Sequence, residues 1–157
     1  MQGVKAKAAK AAFPYTLPIL TGFLFLGIAY GVYMNSLGFS FVYPMIMSVT
    51  IFAGSMEFVA ATMLLSKFDP LAAFVTTLMV NARHLFYGIS MLDHFKEAGT
   101  LRPYMIFGLT DETYSLIYAT RPPEGVSRKW YMFFIALFDH CYWIVGCTVG
   151  ATAGAFA

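Results

Sequence analysis

An amide, a guanidinium and an imidazole stand together at Asn81-Ala82-Arg83-His84, in the middle of an otherwise apolar run from Leu71 to Leu92. Those 22 residues, at about 1.5 Å rise each, reach across the ~30 Å hydrocarbon core of a bilayer. An Arg at that depth costs ~2.5–3.5 kcal/mol on insertion scales, so a chain keeps one only where protein or water receives the charge. Five more ionisable residues fall inside other apolar runs: Glu57, Asp111, Glu112, Asp139 and His140. With neutral histidines and ionised acids, one cation faces four anions, an imbalance that a low-dielectric bundle does not sustain. Some of these acids must hold protons, or the histidines must. The set, with Gly54 and Ser55 beside Glu57, is therefore a candidate for substrate binding or proton coupling. The plainer alternative is that Arg83 pairs with one of the acids as a structural clamp.

Helix geometry sets a condition on the element that positions Arg83. At about 100° per residue, Asn81 and His84 lie about 60° apart and share a stripe with Thr77 and Gly88, whereas Arg83 projects about 160° from Asn81. Either the helix is enclosed on both sides or it breaks near Asn81. A break exposes helix ends that can hold the carboxylate and ammonium of an amino acid.

The remaining elements follow from composition and apolar runs. Hydrophobic residues make up 59% of the 157 and charged residues 11%, with a mean hydropathy of +0.68, against ~25% charged in soluble domains. The expected fold is an all-α integral membrane protein, a polytopic bundle of about five segments, some broken or re-entrant near the midplane. Residues 1–13 read as a basic tail with Lys5, Lys7 and Lys10, and 14–157 as one transmembrane helical domain. The first span, Leu17 to Met34, is entered through Pro14 and Pro18, and its Gly27-x-x-x-Gly31 spacing would let another helix approach closely. Phe41 to Leu65 is interrupted at Ala53-Gly54-Ser55, which is compatible with a broken helix or with a straight one whose small residues pack closely. Asp69-Pro70 is a helix start, cap then first-turn proline.

Tyr104 to Ala119 holds only 16 residues, with Asp111 and Glu112 at its centre, and cannot insert alone. It must lean on the bundle or be re-entrant. Trp130 opens the last run, which continues to the final residue without a polar flank, so a chain truncated at its C-terminus is expected. Trp130, Tyr131 and Trp143 are the candidates for interfacial aromatic belts.

Alternate loops set the orientation. Lys5, Lys7, Lys10, Lys67 and the three cations of 120–129 fall on one side, seven against Lys96 and Arg102 on the other, which places the N-terminus in the cytoplasm. A shift of 56 residues superposes Arg83-His84 on Asp139-His140 and the Gly54 to Glu57 break on Thr110 to Thr113. The match would make two successive hairpins equivalent with the same membrane orientation, although identities this few arise by chance.

Several classes are excluded or weakened. Cys141 and Cys147 would lie ~9 Å apart along a helix axis, too far for a disulfide. No nucleotide-binding, nucleophile-elbow or zincin motif occurs, so no enzyme is expected. His84 and His140 lack a third ligand for a metal, and nothing else supports haem, so no metal or cofactor is expected. No nucleic-acid partner is expected either; membrane lipid is, and a homo-oligomer is left open. A proton or ion channel subunit and a purely structural membrane subunit are the competing classes.

Three stretches carry a family resemblance: Phe52-Ala53-Gly54-Ser55, Asn81-Ala82-Arg83-His84-Leu85-Phe86-Tyr87-Gly88, and Leu109-Thr110-Asp111-Glu112. Together they resemble the AzlC-type branched-chain amino acid exporters, the large permease subunits. The resemblance implies a bacterial inner-membrane protein that works with a small hydrophobic AzlD-type partner subunit. Its substrates would be leucine, isoleucine, valine and methionine. It also implies longer relatives, by about two further spans. For such a substrate Arg83 would meet the carboxylate, and Glu57, Asp111 or Glu112 the ammonium. Phe52, Phe58, Phe86 and Tyr87 would wall the side-chain pocket.

Overall fold

The computed structural model describes residues 2–155, and among them every regular element is helical. Two long helices form the frame: α1, Gln2–Ser36, and α8, Arg128–Gly154. Both are long and apolar enough to cross a membrane. They lie side by side in parallel. Lys5 sits 4.5 Å over the Trp130 ring at one end, Phe13 meets Phe138, Thr16 bonds Tyr142, Phe23 meets Trp143, and Gly154 packs on Asn35 at the other end. Small residues make this possible. Gly27 and Gly31 of α1 oppose Gly146, Gly150 and Ala151 of α8, backbone against backbone, so the sequence's Gly-x-x-x-Gly spacing is used as a close helix contact.

The first helix also departs from expectation. It starts at Gln2, within the expected tail and well before Leu17, and carries Pro14 and Pro18 inside it. Thr16 and Thr21 hydroxyls donate to the carbonyls of Phe13 and Pro18 around the sites where proline removes an N–H.

Between the two long helices the chain makes three interrupted elements. α2, Val42–Thr50, and α3, Gly54–Leu65, replace the expected second run. Of the two readings of that run, the broken one is correct. α2 starts at the Asn35 end, where Tyr43 meets Phe39, and descends until the Ser48 carbonyl accepts a bond from His140 Nε2 at 3.1 Å, midway along α8. Phe52, at φ +46°, turns the chain there, its ring stacked 4.4 Å from that of His140. α3 then climbs back, past Trp143 and Tyr30 to Tyr33, and its end at Leu64 lines the same pocket as Val42 at the start of α2. The pair is a hairpin that enters and leaves by the same end.

α4, Pro70–Val80, and α5, Arg83–Met91, run from that end to the other, interrupted at Asn81-Ala82. Asp69 caps α4 by accepting from the Ala72 N–H at 3.0 Å, with Pro70 in the first turn, as the sequence indicates. Met91 and Phe95 finish in a core with Ala12, Ala98 and Tyr131, at the Lys5 end.

A 3-10 segment, Lys96–Leu101, then leads into α6, Arg102–Phe107, and α7, Asp111–Ala119. This pair is the second hairpin, and it enters from the Lys5 end. Gly99 lies against Lys129; α6 rises until Phe107 meets His140 and Phe52; α7 returns until Thr120 accepts from the Tyr131 hydroxyl at 3.0 Å and Tyr118 stacks on His94. The expected fourth run thus doubles back between α6 and α7. The tips of the two hairpins, Ile51–Ala53 and Gly108–Thr110, meet at the level of His140.

Two expectations are corrected by this path. The hairpins related by the 56-residue shift do correspond in chain order and shape, but they enter from opposite ends, so the relation is inverted. The loop at Asp93–Leu101 and the loop at 120–129 lie at one end together, because α6 and α7 double back. Lys5, Lys7, Lys10, Lys96, Arg102, Arg121, Arg128 and Lys129 therefore share that end, eight cations against Lys67 alone at the other. Two of the three aromatic-belt candidates are also buried: Trp143 is 3% exposed and Tyr131 is 1%. Trp130 remains at a helix end, under Lys5.

Candidate functional site

Three helix beginnings converge where the hairpin tips meet the interrupted crossing. α3 begins at Gly54, α5 at Arg83 and α7 at Asp111, and all three line one cavity of about 230 Å³. Each start follows from local chemistry. The turn before α3 has no side-chain cap, and Glu57 reaches back instead, accepting the Ala53 N–H on Oε1 at 3.1 Å. Thr110 caps α7 by accepting the Thr113 N–H. Asn81 ends α4 as its C-cap, its carbonyl accepting the His84 N–H at 2.9 Å and the His84 Nδ1–H at 3.2 Å.

One wall of the cavity is polar. Arg83 forms an ion pair with Asp111, and its other terminal nitrogen donates to Ser55 Oγ at 3.3 Å. Ser55 and Asp111 are the positions related by the 56-residue shift, so Arg83 bridges the first turns of both hairpins. The pair is half open, with side chains 42% and 37% exposed, and Asp111 Oδ1 has no partner. Glu112 adds a second carboxylate to the same wall. Helix N-termini carry partial positive charge, so the start of α3 at Gly54 and Ser55 favours an anion beside Arg83. The apolar part of the lining is Phe23, Leu26, Phe52, Phe58 and Trp143.

The expected site residues divide into two groups. Gly54, Ser55, Arg83, His84, Asp111 and Glu112 line the cavity, with Phe52 and Phe58 as walls. Glu57, Asp139 and His140 lie behind it, at 0%, 0% and 7% exposure. Glu57 Oε1 accepts the Trp143 Nε1–H at 2.9 Å, Asp139 Oδ2 accepts the Thr113 hydroxyl at 2.8 Å, and His140 is held between Tyr104 and the Ser48 carbonyl. All three span from α8 to a hairpin. Asn81 shapes the break without lining the cavity.

Phe86 and Tyr87 are placed elsewhere. Tyr87 shares the Arg83 face of α5 but sits one turn further along, stacked on Tyr114 at 4.3 Å. Phe86 projects off that face and is 72% exposed. Trp143 is the wall residue that the sequence reading assigned to a belt. Its position four residues after Asp139, on the same face of α8, was the available signal.

The family model described as AzlC protein matches residues 18–157. The branched-chain amino acid transport protein AzlC of Bacillus subtilis is 56% identical over 149 residues, covering 95% of this chain and 59% of that protein. A protein of Haemophilus influenzae named only as an uncharacterized membrane protein is 49% identical, covering 94% of this chain and 61% of that one. The inner membrane protein YgaZ of Escherichia coli is 30% identical, with coverages of 88% and 58%. The chain spans about three-fifths of the length of these curated relatives. No solved structure matches it. On a family match over nearly its whole length, the chain is a helical membrane protein and belongs to the AzlC family.

Proposed function

We propose that this chain forms the substrate-binding core of a branched-chain amino acid exporter. It would act in the bacterial inner membrane on leucine, isoleucine, valine and methionine, coupled to protons and assembled with a small hydrophobic AzlD-type subunit. The observation that carries the reading is the cavity itself. Its lining combines Arg83, Ser55, Asp111 and Glu112 with Phe23, Phe52, Phe58 and Trp143, as a zwitterion with an aliphatic side chain requires. The substrate carboxylate replaces Asp111 on Arg83 and takes the N–H groups at Gly54 and Ser55, while its ammonium takes the released Asp111 and Glu112. At about 230 Å³ the cavity lies below the ~300–1,000 Å³ usual for drug-sized ligands, which suits a single amino acid. The name of the Bacillus subtilis relative, a branched-chain amino acid transport protein, supports branched-chain amino acids as the substrate class. Inverted hairpins around a mid-depth site are also the plan of many secondary transporters, in which one repeat rocks against the other.

The test is counterflow in vesicles containing the full-length protein, with and without its partner subunit. Unlabelled leucine inside should accelerate entry of labelled leucine, and equal rates with and without internal leucine would point to a channel and overturn the carrier reading.

The orientation belongs to the same proposal. Three elements, α1, α4 with α5, and α8, cross the membrane, and the two hairpins enter from opposite faces. The end with eight cations faces the cytoplasm, together with the N-terminus. In a background with Cys141 and Cys147 replaced, Lys67→Cys should react with an impermeant thiol reagent on intact cells. Lys96→Cys and Lys129→Cys should both need permeabilised cells. Labelling of Lys96→Cys from outside would mean that 102–119 crosses the membrane.

A further inference from the structure

Behind the cavity lies a carboxyl group whose surroundings are neutral. Glu57 is fully buried, and its Oε1 accepts two N–H bonds, from Trp143 at 2.9 Å and from Ala53 at 3.1 Å, while Oε2 meets no partner. The titratable groups facing it are Tyr30 of α1 and Cys147 of α8, both buried and both ordinarily neutral. Tyr30 spends its hydroxyl on Met47 Sδ at 3.3 Å. The basic side chains near the hairpin tips are engaged elsewhere: Arg83 with Asp111 and Ser55, His140 with Tyr104 and the Ser48 carbonyl, and His84 with the Asn81 carbonyl. An ionised Glu57 would be a buried charge without a counter-ion, whereas a protonated Glu57 leaves only one hydroxyl short of an acceptor. The second is the smaller penalty.

The two residues that bond Glu57 are both cavity walls: Trp143 and Ala53. Asp139 has a similar orphaned oxygen, Oδ1, but its hydrogen bond goes to Thr113, which does not line the cavity. We propose that Glu57 is the proton-binding residue of the transport cycle, held behind Trp143 and the Phe52–Ser55 turn, and that its ionisation moves those two walls. This deepens the transport reading and rests on it for the word cycle. In the conformation described here Glu57 Oε2 carries the proton and is sealed from water. When the α2–α3 tip opens, the O–H bond breaks, the proton passes to water in the cavity and the carboxylate remains. The charged carboxylate then holds the Trp143 and Ala53 N–H groups more tightly, which fixes the tip in its second position.

Two measurements decide this without any transport. In a Trp130→Phe background Trp143 is the one indole of the chain, and its emission should show a single pH-dependent step. Glu57→Gln should abolish the step and Asp139→Asn should keep it. A step that persists in Glu57→Gln, that disappears in both variants, or that is missing from the parent overturns the proposal. Should Glu57→Gln not fold, infrared spectra of the unsubstituted sequence with 13C-labelled glutamate carboxyls serve instead. A protonated-acid carbonyl band must be present at neutral pH and survive Glu112→Gln, and its absence overturns the proposal. In vesicles with the full-length protein, Glu57→Gln should retain leucine exchange and lose acceleration by a pH gradient. Gradient-driven export equal to that of the parent sinks the proposal. If the parent itself moves no leucine, the transport reading fails while the two spectra still decide the role of Glu57.

Discussion

Replacing Arg83 with alanine should abolish leucine export while leaving the protein in the membrane at its normal level. The two halves of that expectation rest on different magnitudes. The Arg83–Asp111 pair is roughly 40% open to the cavity, so its contribution to folding is that of a largely solvated ion pair, ~0–1 kcal/mol. A substrate carboxylate bound there would lose a hydrogen bond to a charged group, worth ~1.5–3 kcal/mol, or about 10- to 150-fold in affinity. Arg83→Lys should fall between, because an ammonium keeps the charge but cannot hold Ser55 and a carboxylate from one planar fork. Binding of labelled leucine to the purified variants gives the affinities, and immunoblotting of membranes gives the level. Undiminished export by Arg83→Ala would remove Arg83 from the site; loss of the protein from the membrane would return it to the role of a structural clamp.

The same residue shows what could be read from the chain and what could not. The geometry of Asn81 and Arg83 on one helix demanded either enclosure or a break, and the break is there, so a local conflict of faces was legible in the sequence. Gly54 and Ser55 marked a second interruption, and two central acids in a short run marked the third. The direction of the chain after each interruption was not legible. A run of 25 apolar residues has the same hydropathy whether it crosses a bilayer or doubles back from the middle, and only the contacts of Ser48, Phe52 and Phe107 with His140 show the reversal. Each reversal changes the parity of every later loop, which is why Lys67 lies at the end opposite Lys5 while Lys96 and Arg102 share the Lys5 end, the reverse of the alternation expected from the sequence. Trp143 was misplaced for a related reason. Tryptophan is abundant at interfaces, and the carboxyl group that takes its N–H lies 86 residues away in the chain.

The largest structural effect should come from residues with no polar group at all. A Cβ at Gly31 would stand 2.3 Å from both the Ala151 nitrogen and the Cys147 carbonyl oxygen, and one at Gly150 would stand 2.2 Å from the Ile28 carbonyl oxygen. These are backbone atoms of two long helices, so no side chain can swing aside, and α1 and α8 must separate along their whole shared length. Inserting a methyl group into a packed core costs about 1–3 kcal/mol when side chains can adjust. Here the upper end is expected for each substitution, and both together should exceed what a fold of ~5–15 kcal/mol tolerates. Gly31→Ala and Gly150→Ala should each lower the thermal midpoint in detergent, and the double variant should not purify as a single species. Gly22→Ala is the control, because a Cβ there meets nothing within 4 Å and alanine favours the helix by about 1 kcal/mol. If Gly31→Ala and Gly150→Ala melt with Gly22→Ala, the close contact does not exist in the membrane. The effect should extend to transport, because α8 sets the height of both hairpin tips through Asp139, His140 and Trp143. A helix displaced by the width of a methyl group moves those three anchors relative to α1 and opens the cavity wall that Phe23 and Trp143 close together.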